Sequence, residues 1–206
     1  MTFVTPYLCP RSTYLLCVTL LAVLTASLAG CAAQRPIDAR AAAPASPYEL
    51  NATWCTDTGA KLHLADLRGK PRVMAMFFAN CQGVCLLTVD QMKGVEASLP
   101  SDIRAKVGFV LVTLDPGRDT ADKLAAYRRE NNLPAETWTI LRGDDQATAA
   151  LANDLGITFA RQSSRGFVHS SGIIVLDADG HVVQQQLNTH PDLAGMVQAL
   201  AVAAVK

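Results

Sequence analysis

Neither sign of charge is in excess in this chain, where 18 Lys and Arg stand against 18 Asp and Glu. No basic run occurs anywhere in it, and that balance argues against nucleic acid as a partner. Long apolar runs are missing too. The stretch over residues 14–28, behind the lone early cation Arg11, is too short for an ordinary transmembrane span and has the length of a signal-peptide core. There is no internal repeat, which argues against a repeat architecture. Histidine numbers only four and cysteine six, so a site built from them has few possible members. With 206 residues, the chain is long enough for one domain with a proper core.

The apolar stretch ends in Leu28-Ala29-Gly30-Cys31, which resembles a bacterial lipobox. On that reading residues 1–30 are a lipoprotein signal peptide, and Cys31 is lipidated and begins the mature protein. An ordinary secretory cleavage site or an uncleaved anchor are the alternatives. All three export the domain, and the lipobox places it in the bacterial cell envelope, facing the periplasm and held to a membrane through Cys31. Removing residues 1–30 takes away Arg11 and no acidic residue, leaving 17 basic and 18 acidic side chains. Cys9 and Cys17 go as well, so with Cys31 capped the remaining thiols are Cys55, Cys81 and Cys85. A nearby pair plus one spare, in an oxidising compartment, points to redox or metal work rather than a disulfide scaffold.

Residues 31–47 turn to Ala, Pro, Arg and Ser without apolar periodicity and read as a flexible tether. The folded domain is expected over residues 48–206. A turn at Asp57-Thr58-Gly59 joins two short extended pieces, the second an edge strand carrying His63 on its polar side. Residues 73–79 form an apolar run of strand length, suited to a strand covered on both faces. After it, Val89, Met92, Val95 and Leu99 recur at helical spacing. Residues 107–114 are a second buried strand, followed by a helix capped by Asp119 or Thr120 and a short strand at residues 138–141. A further helix carries Ala147, Leu151 and Leu155 and stops at Gly156. Residues 172–187 form a late hairpin around Asp177-Ala-Asp-Gly180, and Pro191 opens a last helix in its first turn. Together these make an α/β sandwich of the thioredoxin type, with a central mixed β-sheet flanked by helices.

The first apolar strand stops abruptly at Asn80-Cys-Gln-Gly-Val-Cys85. Open α/β sheets place their sites at the carboxyl ends of strands, so this corner is the candidate site. Two cysteines four apart share one helical face, and their sulfurs can converge on one metal ion. The positive end of a helix favours thiolate, which primes both sulfurs as ligands or nucleophiles. Thiolates suit Cu(I), Zn(II) or iron–sulfur clusters, and two thiolates alone leave a zinc site incomplete. A third ligand would come from His63, His169, His181 or His190. His63, His181 and His190 read as solvated surface residues. His169 precedes the apolar strand at residues 173–176, and lies beside the cysteines if that strand neighbours the central one.

Phe-Phe-x-Asn-Cys-x-x-x-Cys at residues 77–85, Val-Thr-Leu-Asp-Pro-x-Arg-Asp-Thr at 112–120, Val-His-Ser-Ser at 168–171 and Asp-x-Asp-Gly at 177–180 resemble the motifs of the Sco/SenC family. Its members are copper-binding, thioredoxin-like proteins, and the blocks fall in family order. The resemblance implies that Cys81, Cys85 and His169 bind copper, as Cu(I), Cu(II) or both. It implies a metallochaperone more than an enzyme, one that helps assemble the dinuclear copper centre of cytochrome c oxidase. The implied partners are a copper-accepting oxidase subunit or another periplasmic copper protein. Asp115 matches a family acidic residue and is implied to assist metal transfer or partner contact, its alternative being a turn residue before proline.

The chain departs from the family in carrying Gln82 and Leu86 where proline usually follows each cysteine, a change that bears on copper affinity or redox potential. Cys55 lies outside the pattern and reads as a small buried residue, with an extra redox partner as the alternative. Met74 and Met76 are assigned to the core, not to copper. The competing function is thiol-disulfide exchange with partner cysteines, Cys81 and Cys85 acting as the catalytic pair. Their spacing, one residue longer than Cys-x-x-Cys, and Val168-His-Ser170 in the place of a proline loop favour the metallochaperone. A peroxidase of the same fold is a distant third.

Overall fold

The computed structural model describes residues 46–81, 83–162 and 166–205. The signal-peptide reading, the lipidation of Cys31, most of the tether and Gln82 lie outside them. The described chain enters on a short 3-10 turn at Pro47–Glu49 and continues into β1 (Trp54–Thr56), β2 (Lys61–Leu62), a 3-10 turn (Leu64–Leu67) and β3 (Arg72–Phe77). Then come α1 (Val84–Ser98), the short α2 (Ser101–Arg104), β4 (Gly108–Thr113), α3 (Ala121–Glu130), β5 (Trp138–Arg142) and α4 (Asp145–Asp154). The chain closes with β6 (Phe159–Gln162), β7 (Gly166–His169), β8 (Ile173–Leu176), β9 (Val182–Gln186) and α5 (Leu193–Ala203).

Seven strands form one mixed sheet in the order β2-β1-β5-β4-β3-β8-β9. β3 sits between a parallel neighbour, β4, and an antiparallel one, β8. Apolar layers cover both of its faces, as its composition anticipates. Strand side chains alternate between faces, and the packing partners follow this period. Val73, Ala75 and Phe77 pack with Val89, Met92 and Val95 of α1, Leu124 and Tyr127 of α3, and Met196 and Leu200 of α5. Met74 and Met76 face the other layer, against Ala147 and Leu151 of α4 and Leu64 and Leu67. Both methionines are buried core, at 0% and 2% exposure.

Local signals place most helix starts. Thr120 caps α3 by accepting from the Lys123 amide, and Asp144 caps α4 by accepting from Ala147. Gly156, at φ +60°, ends the following turn in the left-handed region that glycine tolerates. The last helix differs from expectation. Asp192 is its cap, its side chain accepting from Gly195, so Pro191 precedes the helix instead of occupying its first turn. The carboxylate wins because it satisfies an amide that proline has no means to reach.

Packing begins at the end of the stretch read as tether, for Ser46, Pro47 and Tyr48 are all buried. Ser46 Oγ donates to the Asp179 carbonyl at 3.2 Å. Gly180 lies at φ +88°, and a Cβ there would fall 2.2 Å from the Tyr48 ring, so this turn requires glycine twice over. The entering chain is thereby pinned to the β8–β9 turn.

A buried ion pair locks the early hairpin to α3. Arg128 donates from Nε to Asp57 Oδ2 at 2.5 Å and from Nη2 to Oδ1 at 2.9 Å. The Asp57 side chain is 3% exposed and that of Arg128 15%. Removing one partner of such a pair strands a charge. Asp57→Ala should therefore lower the unfolding free energy by about 3 kcal/mol, read as a reduced denaturant midpoint. An unchanged midpoint would show that the Leu133 and Trp138 carbonyls, which Arg128 also reaches, suffice for the guanidinium.

Candidate metal centre

β3 ends at Phe77, and the chain turns through Cys81, whose amide donates to the Phe78 carbonyl at 3.1 Å. Gly83 then caps α1 without a side-chain hydrogen bond. Cys85 falls in the first turn, with Cys81 just ahead of the helix, as the spacing requires. The corner is held from behind by Asp119. Its Oδ2 accepts from the Ala79 amide at 2.9 Å and from the Thr113 hydroxyl. Asp119 is thus not the helix cap that its position beside Thr120 suggested as an option. Burial pushes its carboxyl up, while the Thr113 and Ala79 donors pull it down.

His169 arrives from a two-stranded antiparallel ladder, β6–β7, separate from the main sheet. No alternation in the sequence singled this ladder out. Cys85 Sγ lies 3.1 Å from His169 Nε2, across 84 positions of chain. The other ring nitrogen, Nδ1, is 2.9 Å from the Ser170 carbonyl. A carbonyl only accepts, so this partner assigns the proton to Nδ1 and leaves the Nε2 lone pair facing the sulfur. Ser170 is itself clamped, its amide donating to the Thr158 carbonyl at 2.8 Å and its Oγ accepting from the Thr158 amide at 3.0 Å.

Sγ of Cys81, Sγ of Cys85 and a ring nitrogen of His169 all lie within 4.8 Å of one another. Among the described residues this is the group of His, Cys and carboxylates brought together so closely. The remaining histidines lie elsewhere and are exposed. His63 Nδ1 pairs with the Ala52 carbonyl, His181 sits by Asp177, and His190 by Thr189.

The two sulfurs are not equivalent. Cys85 is 1% exposed and Cys81 half-buried. Burial pushes the Cys85 thiol up, with Cys81 adding to the effect and the backbone at Phe78 opposing it. The favourable end of α1 therefore does not prime both sulfurs as thiolates. For Cys85 the loss of water outweighs the helix.

Asp115 stands apart from this group. It is 2% exposed, pairs with Arg118, and lies 3.5 Å from Arg161. It lines a cavity of about 350 Å³ with Asn80, Asp119, Lys123 and Tyr127, which places it near the cysteine corner. Cys55 is half-buried on β1 with a free thiol, more open than a core residue.

A family model described as SCO1/SenC matches residues 40–203. A Stutzerimonas stutzeri protein described as a candidate copper-binding protein is 25% identical over 118 residues, covering 55% of this chain and 56% of the relative. The chain thus spans little more than half the length of that curated relative. Among solved structures, a SCO1/SenC family lipoprotein from Bacillus anthracis superposes with a TM-score of 0.67 at 19% identity, over 74% of this chain and 92% of the other. ScoI from Bradyrhizobium japonicum with copper bound gives 0.63 at 18% identity, over 74% and 96%. These likenesses are of fold, and they establish the thioredoxin-like sandwich.

The inequality of the sulfurs has a direct readout. At neutral pH, iodoacetamide should alkylate Cys81 in the reduced, metal-free protein at least about tenfold faster than Cys85, because the thiolate is the nucleophile. Peptide mass spectrometry resolves the two, and equal rates would contradict the burial of Cys85.

Proposed function

Because the chain belongs to the SCO1/SenC family, we propose that it is a metallochaperone which holds copper on Cys81, Cys85 and His169 and hands it to a partner protein. The observation that carries this reading is the convergence of two sulfurs and one imidazole nitrogen within 4.8 Å. Soft thiolates with an imidazole are a donor set suited to copper. Three ligands leave room for a fourth donor, which an incoming partner supplies as it takes the ion by ligand exchange.

The chain's own residues set the terms of that exchange. His169 offers Nε2 because the Ser170 carbonyl holds the proton on Nδ1. Cys85, buried and protonated when the site is free, gives up its proton as the metal binds. Cys81, the more open sulfur, is the ligand an incoming donor reaches first. The cargo is transferred without chemical conversion, so no substrate is turned over.

The finer reading has the protein exported and tethered to the membrane by lipid on Cys31, where it delivers copper to the dinuclear centre of cytochrome c oxidase. The motif order in the sequence and the lipobox support it. Asp115, buried and held by Arg118 and Arg161 beside the cysteine corner, is on this reading the residue that assists metal transfer. A second reading, thiol-disulfide exchange through Cys81 and Cys85, is favoured by the same proximity, since a modest shift would bring the sulfurs to bonding distance.

Both readings meet in one experiment on the reduced protein. Copper should bind at one ion per chain, and Cys81→Ser, Cys85→Ser and His169→Ala should each weaken it by at least about 100-fold, measured by competition with a Cu(I) chelator. Wild-type affinity in the histidine variant would sink the three-ligand model. Weak copper binding together with rapid disulfide exchange against a partner peptide would favour the oxidoreductase.

A further inference from the structure

Two buried hydroxyls join the segments that carry Cys85 and His169. Thr88 is 3% exposed and Ser171 9%. Their oxygens lie 2.9 Å apart, and Thr88 Oγ1 is also 2.9 Å from the Val84 carbonyl. That carbonyl only accepts, so the single Thr88 proton goes to it, and Ser171 must donate to Thr88. The order is therefore fixed, from Ser171 to Thr88 to the backbone of the first turn of α1.

This chain of bonds joins segments 83 positions apart, and its ends are placed with respect to the ligands. Thr88 follows Cys85 by three residues, on the same helical face. Ser171 follows His169 by two. The bridge thus runs alongside the contact of Cys85 Sγ with His169 Nε2. Its importance comes from the topology. His169 is the last residue of β7, and pairing of the chain with the main sheet resumes only at Ile173. Strand pairing therefore does not set the distance from the β6–β7 ladder to α1. Buried hydroxyl pairs are directional, and leaving one member unpaired is costly, which makes this link stiff where apolar packing would slide.

We infer that the Ser171–Thr88 bridge is the positioning element that sets the separation between His169 and the Cys85 sulfur, and through it the copper coordination geometry. This rests on the reading of Cys81, Cys85 and His169 as the ligands. Neither hydroxyl touches the metal. Each acts through the backbone that carries a ligand, as outer partners of metal sites do.

The test uses the full-length reduced protein with copper. Thr88→Val and Ser171→Ala should each weaken copper by about tenfold and shift the sulfur-to-copper charge-transfer absorption of the Cu(II) form. The double variant should be no weaker than the poorer single, since both remove one bond. Thr88→Ser, which keeps the hydroxyl, should restore affinity and spectrum. Wild-type affinity and spectrum in both single variants would overturn the inference, whatever happens to their melting temperatures. His169→Ala in the same assay separates the two claims. If it too binds normally, the three-ligand reading fails and takes the bridge with it. If it weakens copper while the hydroxyl variants do not, the bridge alone is refuted.

Discussion

The contact of the Cys85 sulfur with the His169 ring, 3.1 Å across, is the interaction on which the remainder of the molecule converges. It is a long-range contact between a helix and a ladder outside the main sheet, so neither element can make it alone. β3 places the start of α1, and the antiparallel pairing of β8 with β3 brings the segment after His169 back to the same end of the sheet. The loop-closure cost of joining such distant residues is met by the apolar layers on both sides of β3.

Burial at this corner has opposed effects. It removes water from Cys85 and so keeps its thiol protonated until a stronger competitor for the sulfur arrives. The same desolvation strengthens the hydrogen bonds around it, including those that Asp119 accepts from Ala79 and Thr113. The corner is thus rigid in its backbone and reluctant in its chemistry, a combination suited to holding a soft cation and unsuited to stray reaction. Cys81, less buried, is the more open sulfur of the same corner.

Much of this was legible from residue order. The abrupt end of an apolar run at two cysteines marks a strand-to-helix corner, and burial of residues 73–77 on both faces follows from their unbroken apolar composition. His169 stood out because it precedes an apolar strand. What escaped was set by contacts rather than by local pattern. β6 and β7 are four residues each, and the described end of β6 carries Arg161 and Gln162, so no apolar alternation betrays them. Asp119 beside Thr120 offers two equal capping options, and only the return of Ala79 across 40 positions decides between them. Thr88 reads as an ordinary helical residue until Ser171 is seen opposite. Proline is a common first-turn residue, so Pro191 points to an earlier helix start, while Asp192 is the cap that forms.

The pinning of Ser46 and Tyr48 onto the β8–β9 turn gives the molecule a polarity. In the pairing of β3 with β8, Arg72 lies opposite Leu176, so that turn sits at the end where β3 begins. The cysteines follow where β3 finishes, six residues and about 15–20 Å away along the sheet. Ser46 and Tyr48 therefore stand at one end of the sheet and the sulfurs at the other. A change at the entering turn is thus separated from the sulfur corner by the whole length of β3.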